Sequence, residues 1–161
     1  MEFSEESGRK RPLHFPVTEN SNQSLLIFVT VCTKDRKPIL ADPAIHALLR
    51  KWWSNATEWL VGRYVITPEH IHLFCAPNNL EVSSLRNWMA FWKNGVSREW
   101  PSEKDKPIWQ RSFWDTQLRQ GESYTEKWEY VRNNPVRHGL VTDTKTWPYQ
   151  GEMNILPWHD T

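Results

Sequence analysis

His70 and His72, one residue apart in the run HIHLFCA, are the side chains whose type and spacing point most directly to chemistry. On a strand alternate side chains share a face, so both imidazoles project together and can share a divalent cation. Ile71, Leu73 and Cys75 then face the opposite way, toward a core. A pair of hydrogen-bonded strand histidines is the plainer alternative, and His14, His46, His138 and His159 show no similar spacing. A second pair lies far along the chain. In a helix over 122–134, Tyr124, Trp128 and Val131 form an apolar stripe, and Tyr130 stands about 200° round from Trp128. Tyr130 therefore faces away from the stripe, with Asn134 a turn later on the same face. A phenol and a carboxamide so placed can reach one site together. An Asn before Pro135 serves equally as a helix stop that satisfies backbone groups.

These groups need elements to hold them. The near-continuous apolar run over 25–33 predicts an inner strand covered on both faces. Asp42 and Pro43 open a helix whose stripe runs through Ile45, Leu48, Leu49, Trp52, Ala56, Trp59 and Leu60. Two short strands, 61–67 and 70–76, flank the break at Pro68 and Glu69. A second amphipathic helix from Val82 to about Gly95 follows, then a strand around 113–119 and the tyrosine helix. This order predicts an α+β domain: a ferredoxin-like, four-stranded antiparallel sheet with helices on one face, plus an additional C-terminal helix carrying the tyrosine. The opposite face, with both histidines, is expected to be open. Residues 1–24 read as a flexible N-terminal arm, 25–141 as the functional domain, and 142–161 as an irregular tail.

With 161 residues the chain is one domain long, and 11 Trp supply apolar area that a mean hydropathy of −0.70 would otherwise deny it. Twenty basic and 19 acidic side chains give +1, so no overall field drives it onto nucleic acid or lipid, and any nucleic-acid binding has to be local. Cys32 and Cys75 lie in apolar runs without a second Cys at zinc-ligand spacing, and read as small core residues. No apolar run approaches membrane length and the N-terminus lacks a signal-peptide stretch, so a cytoplasmic location is expected, without a membrane partner. There is no repeat and no phosphate-cradling glycine loop.

Taken together, PEHIHLF (68–74) resembles the His-hydrophobic-His signature of the HUH single-tyrosine nucleases. YVRNNPVRHGLV (130–141) resembles the tyrosine helix of the REP-associated tyrosine transposases within that superfamily. VTVCTKDRKPIL (29–40) and IWQRSFWD (108–115) are similar to the same family in order and spacing, so the likeness spans 25–141. Thr67 replaces the usual Met, and His138 stands where a small residue is common. The resemblance implies that His70 and His72 are metal ligands, Asn134 a third ligand and Tyr130 the nucleophile.

It further implies metal-dependent cleavage and strand transfer of single-stranded or hairpin DNA through a 5′-phosphotyrosine, without a nucleotide cofactor. Two imidazoles and an amide oxygen suit Mg²⁺ or Mn²⁺. Arg36, Lys37, Lys93, Arg111, Arg119, Lys127, Arg132 and Arg137 lie on the relevant segments as candidate DNA contacts. Trp109, Trp114, Trp147 and Trp158 fall outside helical stripes as candidate base-stacking residues, whereas Trp52, Trp59 and Trp92 fall on buried stripes. The rival functions are a non-catalytic DNA-binding protein derived from a transposase, a small-molecule metalloenzyme with a His-x-His site, and a replication-initiator or relaxase nuclease. The short chain and the Asn-Pro-Val ending disfavour the last. Monomer and dimer both remain open.

Overall fold

In the computed structural model, which describes residues 25–79 and 82–158, the first strand, β1 (Ile27–Cys32), is buried at all six positions. The expected arm, 1–24, lies outside the described residues. Helix α1 (Pro43–Asn55) starts where expected, since the Asp42 side chain accepts from the N–H groups of Ala44 and Ile45. It stops at Asn55, however. Trp59 and Leu60, which continue its stripe in sequence, instead open β2 (Trp59–Ile66). β3 (His70–Pro77) turns back across Pro68 and Glu69. Thr67 closes that turn: its hydroxyl donates to the His70 carbonyl at 3.1 Å, and its N–H donates to the same oxygen at 2.8 Å.

Helix α2 (Leu85–Arg98) is capped by the Ser84 side chain and runs past Gly95. A Cβ at Gly95 would lie 2.5 Å from the Trp52 ring, so this glycine marks the crossing of α1 and α2 rather than a helix end. β4 (Trp114–Gln117) completes the expected strands, which lie in the order β4-β1-β3-β2 with every neighbouring pair antiparallel. The four-stranded expectation is one strand short. β5 (Gln150–Glu152) pairs with Arg63, Tyr64 and Val65 of β2, so the segment 142–161, expected to be irregular, supplies a fifth strand. Gln-Gly-Glu has no apolar alternation, and nothing in its pattern announces a strand.

Each face of the sheet has its own core. Ile27, Val29, Val31, Ile71, Leu73 and Cys75 pack against Leu49 and Trp53 of α1 and Met89, Trp92 and Val96 of α2. On the other face Leu26, Phe28, Phe74 and Ala76 meet Trp147, Leu156 and the stripe residues Tyr124, Trp128 and Val131 of α3 (Tyr124–Val131). The expectation of an open second face, with helices on one side only, is therefore corrected. Phe28 and Phe74 make that face apolar, and burying it against α3 and the C-terminal segment is worth about 25 cal/mol per Å² removed from water.

Gly62 allows this close approach: a Cβ there would sit 2.6 Å from the Tyr124 hydroxyl and 2.5 Å from Leu156 Cδ1. That hydroxyl accepts the Arg63 N–H at 2.9 Å, which pins the start of α3 to β2. Cys32 and Cys75 are both buried, and neither is in a disulfide. Among the described residues no helix is long and apolar enough to cross a membrane.

Candidate functional site

His70 and His72 share the α3 face of β3, with ring centres 4.5 Å apart at 70°. His72 lies opposite Thr30 of β1, whose hydroxyl is 3.0 Å from its Nδ1, and its ring stacks on Phe28 at 5.6 Å and 14°. Thr30 therefore orients the ring and leaves Nε2 for a ligand. His70 is 8% and His72 7% exposed, so neither stands on an uncovered surface.

Burial pulls His70 down to about 4, against the pull of Glu69 and assisted by His138 and Arg36. Burial also holds His72 well below its ordinary value, with His70, Arg137 and His138 acting in the same direction. Both imidazoles are thus neutral at pH 7, the state that ligates metals. Nδ1 of His70 is buried and has no hydrogen-bond partner among the described residues. An orphaned buried nitrogen calls for an ion or a functional role. The residues present therefore fit a divalent cation, although among the described residues no group of three or more His, Cys, Asp or Glu could hold one as they stand.

Tyr130 lies on α3, turned from the stripe and 38% exposed. The other three tyrosines are less exposed. Tyr124 is buried against Arg63, and Tyr64 is buried with its oxygen 2.6 Å from Arg50 Nη1 and 2.7 Å from His46 Nε2. Tyr149 is half-buried and edge-on to His46 and Trp147. The continuous helix over 122–134 is corrected to two pieces. α3 ends at Val131, and α4 (Asn134–Arg137) begins after a tight turn, with Pro135 in its first turn, where a missing N–H costs nothing.

Tyr130 and Asn134 consequently stand on separate helices. The Asn134 side chain donates from Nδ2 to the Val131 carbonyl at 2.9 Å and so helps to finish α3. Arg137 links the tyrosine to the histidines. Its guanidinium lies 4.2 Å from the Tyr130 ring centre and donates to the Tyr130 carbonyl at 2.9 Å, while its charge acts on His72. The next residue, His138, has its ring centre 6.0 Å from that of His70. The sequence reading missed His138 and Thr30. Their signals were a histidine four residues after Asn134 and a lone hydroxyl in an apolar strand.

The candidate DNA contacts divide. Arg36 and Arg137 act on the histidine pair, and Arg36, in left-handed backbone at φ 55°, also pairs with Glu69 at 2.9 Å. Arg111 and Arg119 are exposed. Lys127 pairs with Glu122 at 3.3 Å, and Arg132 with Glu129 at 3.4 Å. Lys37 binds the carbonyls of Asp105 and Pro107 at 2.6 and 2.8 Å, tethering a loop. The indoles of Trp109, Trp147 and Trp158 are likewise spent on the carbonyls of Lys93, Ile66 and Glu122, and Trp147 is buried.

Lys93 is a correction: it is 8% exposed, donates from Nζ to the Gln110 carbonyl at 3.2 Å, and is not available to a phosphate. Burial lowers its pKa from 10.5 to about 8, opposed by Cys32. Below pH 8 both folded and unfolded chains carry the proton, and the folded state bears the full cost of enclosing a charge. Between 8 and 10.5 the unfolded chain keeps a proton the folded chain has shed, so stability rises with pH. Lys93→Met is expected to stabilise the protein near pH 7 by about 2 kcal/mol and to flatten that rise. Urea titrations near pH 7 and pH 10 measure both effects, and hairpin affinity should not change.

No family model matches the chain. It is 33% identical over 139 residues to a protein of Haemophilus influenzae described as a REP-associated tyrosine transposase, covering 77% of each chain. It is 29% identical over 127 residues to a REP-associated tyrosine transposase of Escherichia coli, covering 76% of this chain and 73% of the relative. In fold it is similar to a REP-associated tyrosine transposase solved with a REP hairpin, with TM-score 0.65, 22% identity, and 79% of this chain and 75% of that one covered. A protein of Deinococcus radiodurans described as a transposase gives TM-score 0.51 at 16% identity, covering 71% of this chain and 94% of that one.

Proposed function

The chain belongs to the REP-associated tyrosine transposase family, and from that premise we propose that it cleaves and rejoins single-stranded DNA beside a hairpin of palindromic repeat sequence. The β4-β1-β3-β2 core is read as a ferredoxin-like platform with β5 added. The observation that carries the function is the exposure of Tyr130 alone among the chain's four tyrosines, on a helix whose clamp, Arg137, also acts on the histidine pair.

The Tyr130 oxygen attacks the phosphorus of the scissile diester and its proton passes to solvent. The bond from phosphorus to the 3′-oxygen breaks, that oxygen takes up a proton, and the 5′-phosphate stays on the tyrosine. A 3′-hydroxyl attacking the phosphotyrosine reverses the step and joins strands without an energy-supplying cofactor. His70, His72 and Asn134 would hold Mg²⁺ or Mn²⁺, which when bound neutralises charge on the scissile phosphate. Arg137 orients the tyrosine ring, and Thr30 sets the His72 ring. Arg36, Arg111, Arg119 and Arg137 would meet the DNA backbone, so affinity should fall steeply with salt.

The test is a labelled hairpin with an unpaired flank, drawn from the DNA beside the coding region, incubated with Mn²⁺ or Mg²⁺ and run on a denaturing gel. A covalent DNA-protein band is expected. Failure of every such hairpin to give one, despite binding, would overturn the catalytic assignment in favour of a transposase-derived DNA-binding protein.

A further inference from the structure

We infer that Arg36 is a catalytic residue of strand cleavage, leaving Glu69 to grip a non-bridging oxygen of the phosphodiester that Tyr130 attacks. The inference rests on the cleavage reading above and deepens it. A guanidinium on the flanking backbone only anchors DNA, whereas one on the reacting phosphate acts where negative charge gathers as phosphorus is attacked. It transfers no proton and forms no covalent bond.

Asp35 and Arg36 follow one another at φ 56° and 55°, left-handed backbone in two successive residues that are not glycine. Such a segment persists only where its surroundings over-determine it. On one side the Thr33 N–H donates to the Glu69 carbonyl at 3.0 Å, and the Thr33 hydroxyl is shared between the carbonyls of Lys37 at 2.9 Å and Glu69 at 3.3 Å. The Lys34 N–H donates to the Ile108 carbonyl at 2.8 Å. On the other side Lys37 Nζ reaches the carbonyls of Asp105 and Pro107, and the Leu40 N–H donates to the Pro68 carbonyl at 2.9 Å. The strained pair is thus fastened at both ends, to the β2–β3 turn and to the segment leading into β4. Strain kept against a rigid frame of this kind marks a side chain that has to be aimed.

Arg36 is aimed at the histidine end of β3. Cys32, four residues before it, lies opposite His70, so the loop leaves the sheet beside that residue. Arg36 Nη1 holds Glu69 Oε1 at 2.9 Å, and Glu69 immediately precedes His70. The side chains of this pair are 59% and 38% exposed, so water screens the attraction and it adds little to stability. A phosphate oxygen presents the same kind of acceptor with more charge, and readily takes the place of the carboxylate. The charge of Arg36 reaches His70 as that of Arg137 reaches His72. Arg137 is already engaged with the ring and carbonyl of Tyr130, which leaves Arg36 to meet the phosphate.

The experiment takes the whole chain, Mn²⁺ and a labelled hairpin with an unpaired flank, and reads the single-turnover rate of adduct formation against hairpin affinity. Arg36→Asn removes the cation but keeps a residue that tolerates left-handed backbone, so melting should match or exceed the parent. The rate at saturating DNA should fall at least about 100-fold while hairpin affinity stays within about threefold. Arg36→Lys should recover at least about fivefold of that loss, because it restores the charge without the fork. Glu69→Gln breaks the ion pair and spares the guanidinium, and should keep the rate within about threefold of the parent. An unchanged rate in Arg36→Asn overturns the inference. So does a loss of affinity with the saturated rate intact, which makes Arg36 a backbone anchor, or an equal loss of rate in Glu69→Gln, which makes it a partner for Glu69. In each of these cases adduct formation by the parent keeps the cleavage reading; a parent that forms no adduct overturns both.

Discussion

Tyr130→Phe should abolish the covalent adduct with hairpin DNA and lower strand cleavage by at least about 10⁴-fold. The substitution removes one oxygen and leaves the ring on which Arg137 lies. The side chain is 38% exposed, so no core is disturbed and hairpin affinity should stay within about twofold. Quantified denaturing gels and filter binding on the same preparations separate the two effects. Adduct formation by the variant at the parent level would move the nucleophile elsewhere, and the structure leaves few places. Burial raises the Tyr124 hydroxyl far above its ordinary value, and its oxygen already accepts from Arg63. Burial also raises Tyr64, despite the opposing Arg50.

His70→Leu should remove Mn²⁺-supported cleavage, by at least about 10³-fold, while making the metal-free protein more stable by about 1 kcal/mol. The two effects have one origin. A side chain that is 8% exposed carries a nitrogen with no partner, and a leucine of similar volume buries apolar atoms there at no such cost. Urea titration in EDTA reads the gain, and gel assays with Mn²⁺ read the loss. Undiminished cleavage would remove His70 from the site; a large destabilisation would mean that the imidazole is held for structure. A residue kept despite a folding penalty is one retained for its chemistry.

The face assignment of His70 and His72 was legible because strand periodicity is exact at two residues, and Ile71, Leu73 and Cys75 do lie in the opposite core. Their burial was not legible. That face of the sheet is covered by α3 and by Trp147 and Leu156, the last two in a segment with no period to read. The helix spacing between Tyr130 and Asn134 misled because Pro135 opens a new helix rather than closing the old one. Local charge was the least readable property: the sequence cannot tell that Lys93 is enclosed, that Lys37 ties down a loop, or that Arg137 lies on the tyrosine ring. His138 escaped notice because its neighbour across space, His70, is distant along the chain.

Exposed sheet rims recruit further strands, and in this protein both rims are poor templates. Outside β2 the rim is three residues, Gln-Gly-Glu, and beyond β1 it is four, Trp-Asp-Thr-Gln. Neither offers the long apolar row on which cross-chain stacking and aggregation feed. The C-terminal segment that packs on the α3 face of the sheet therefore also acts as a guard against polymerisation, and a truncation that removed Gln150–Glu152 would expose the eight-residue β2 to both hazards.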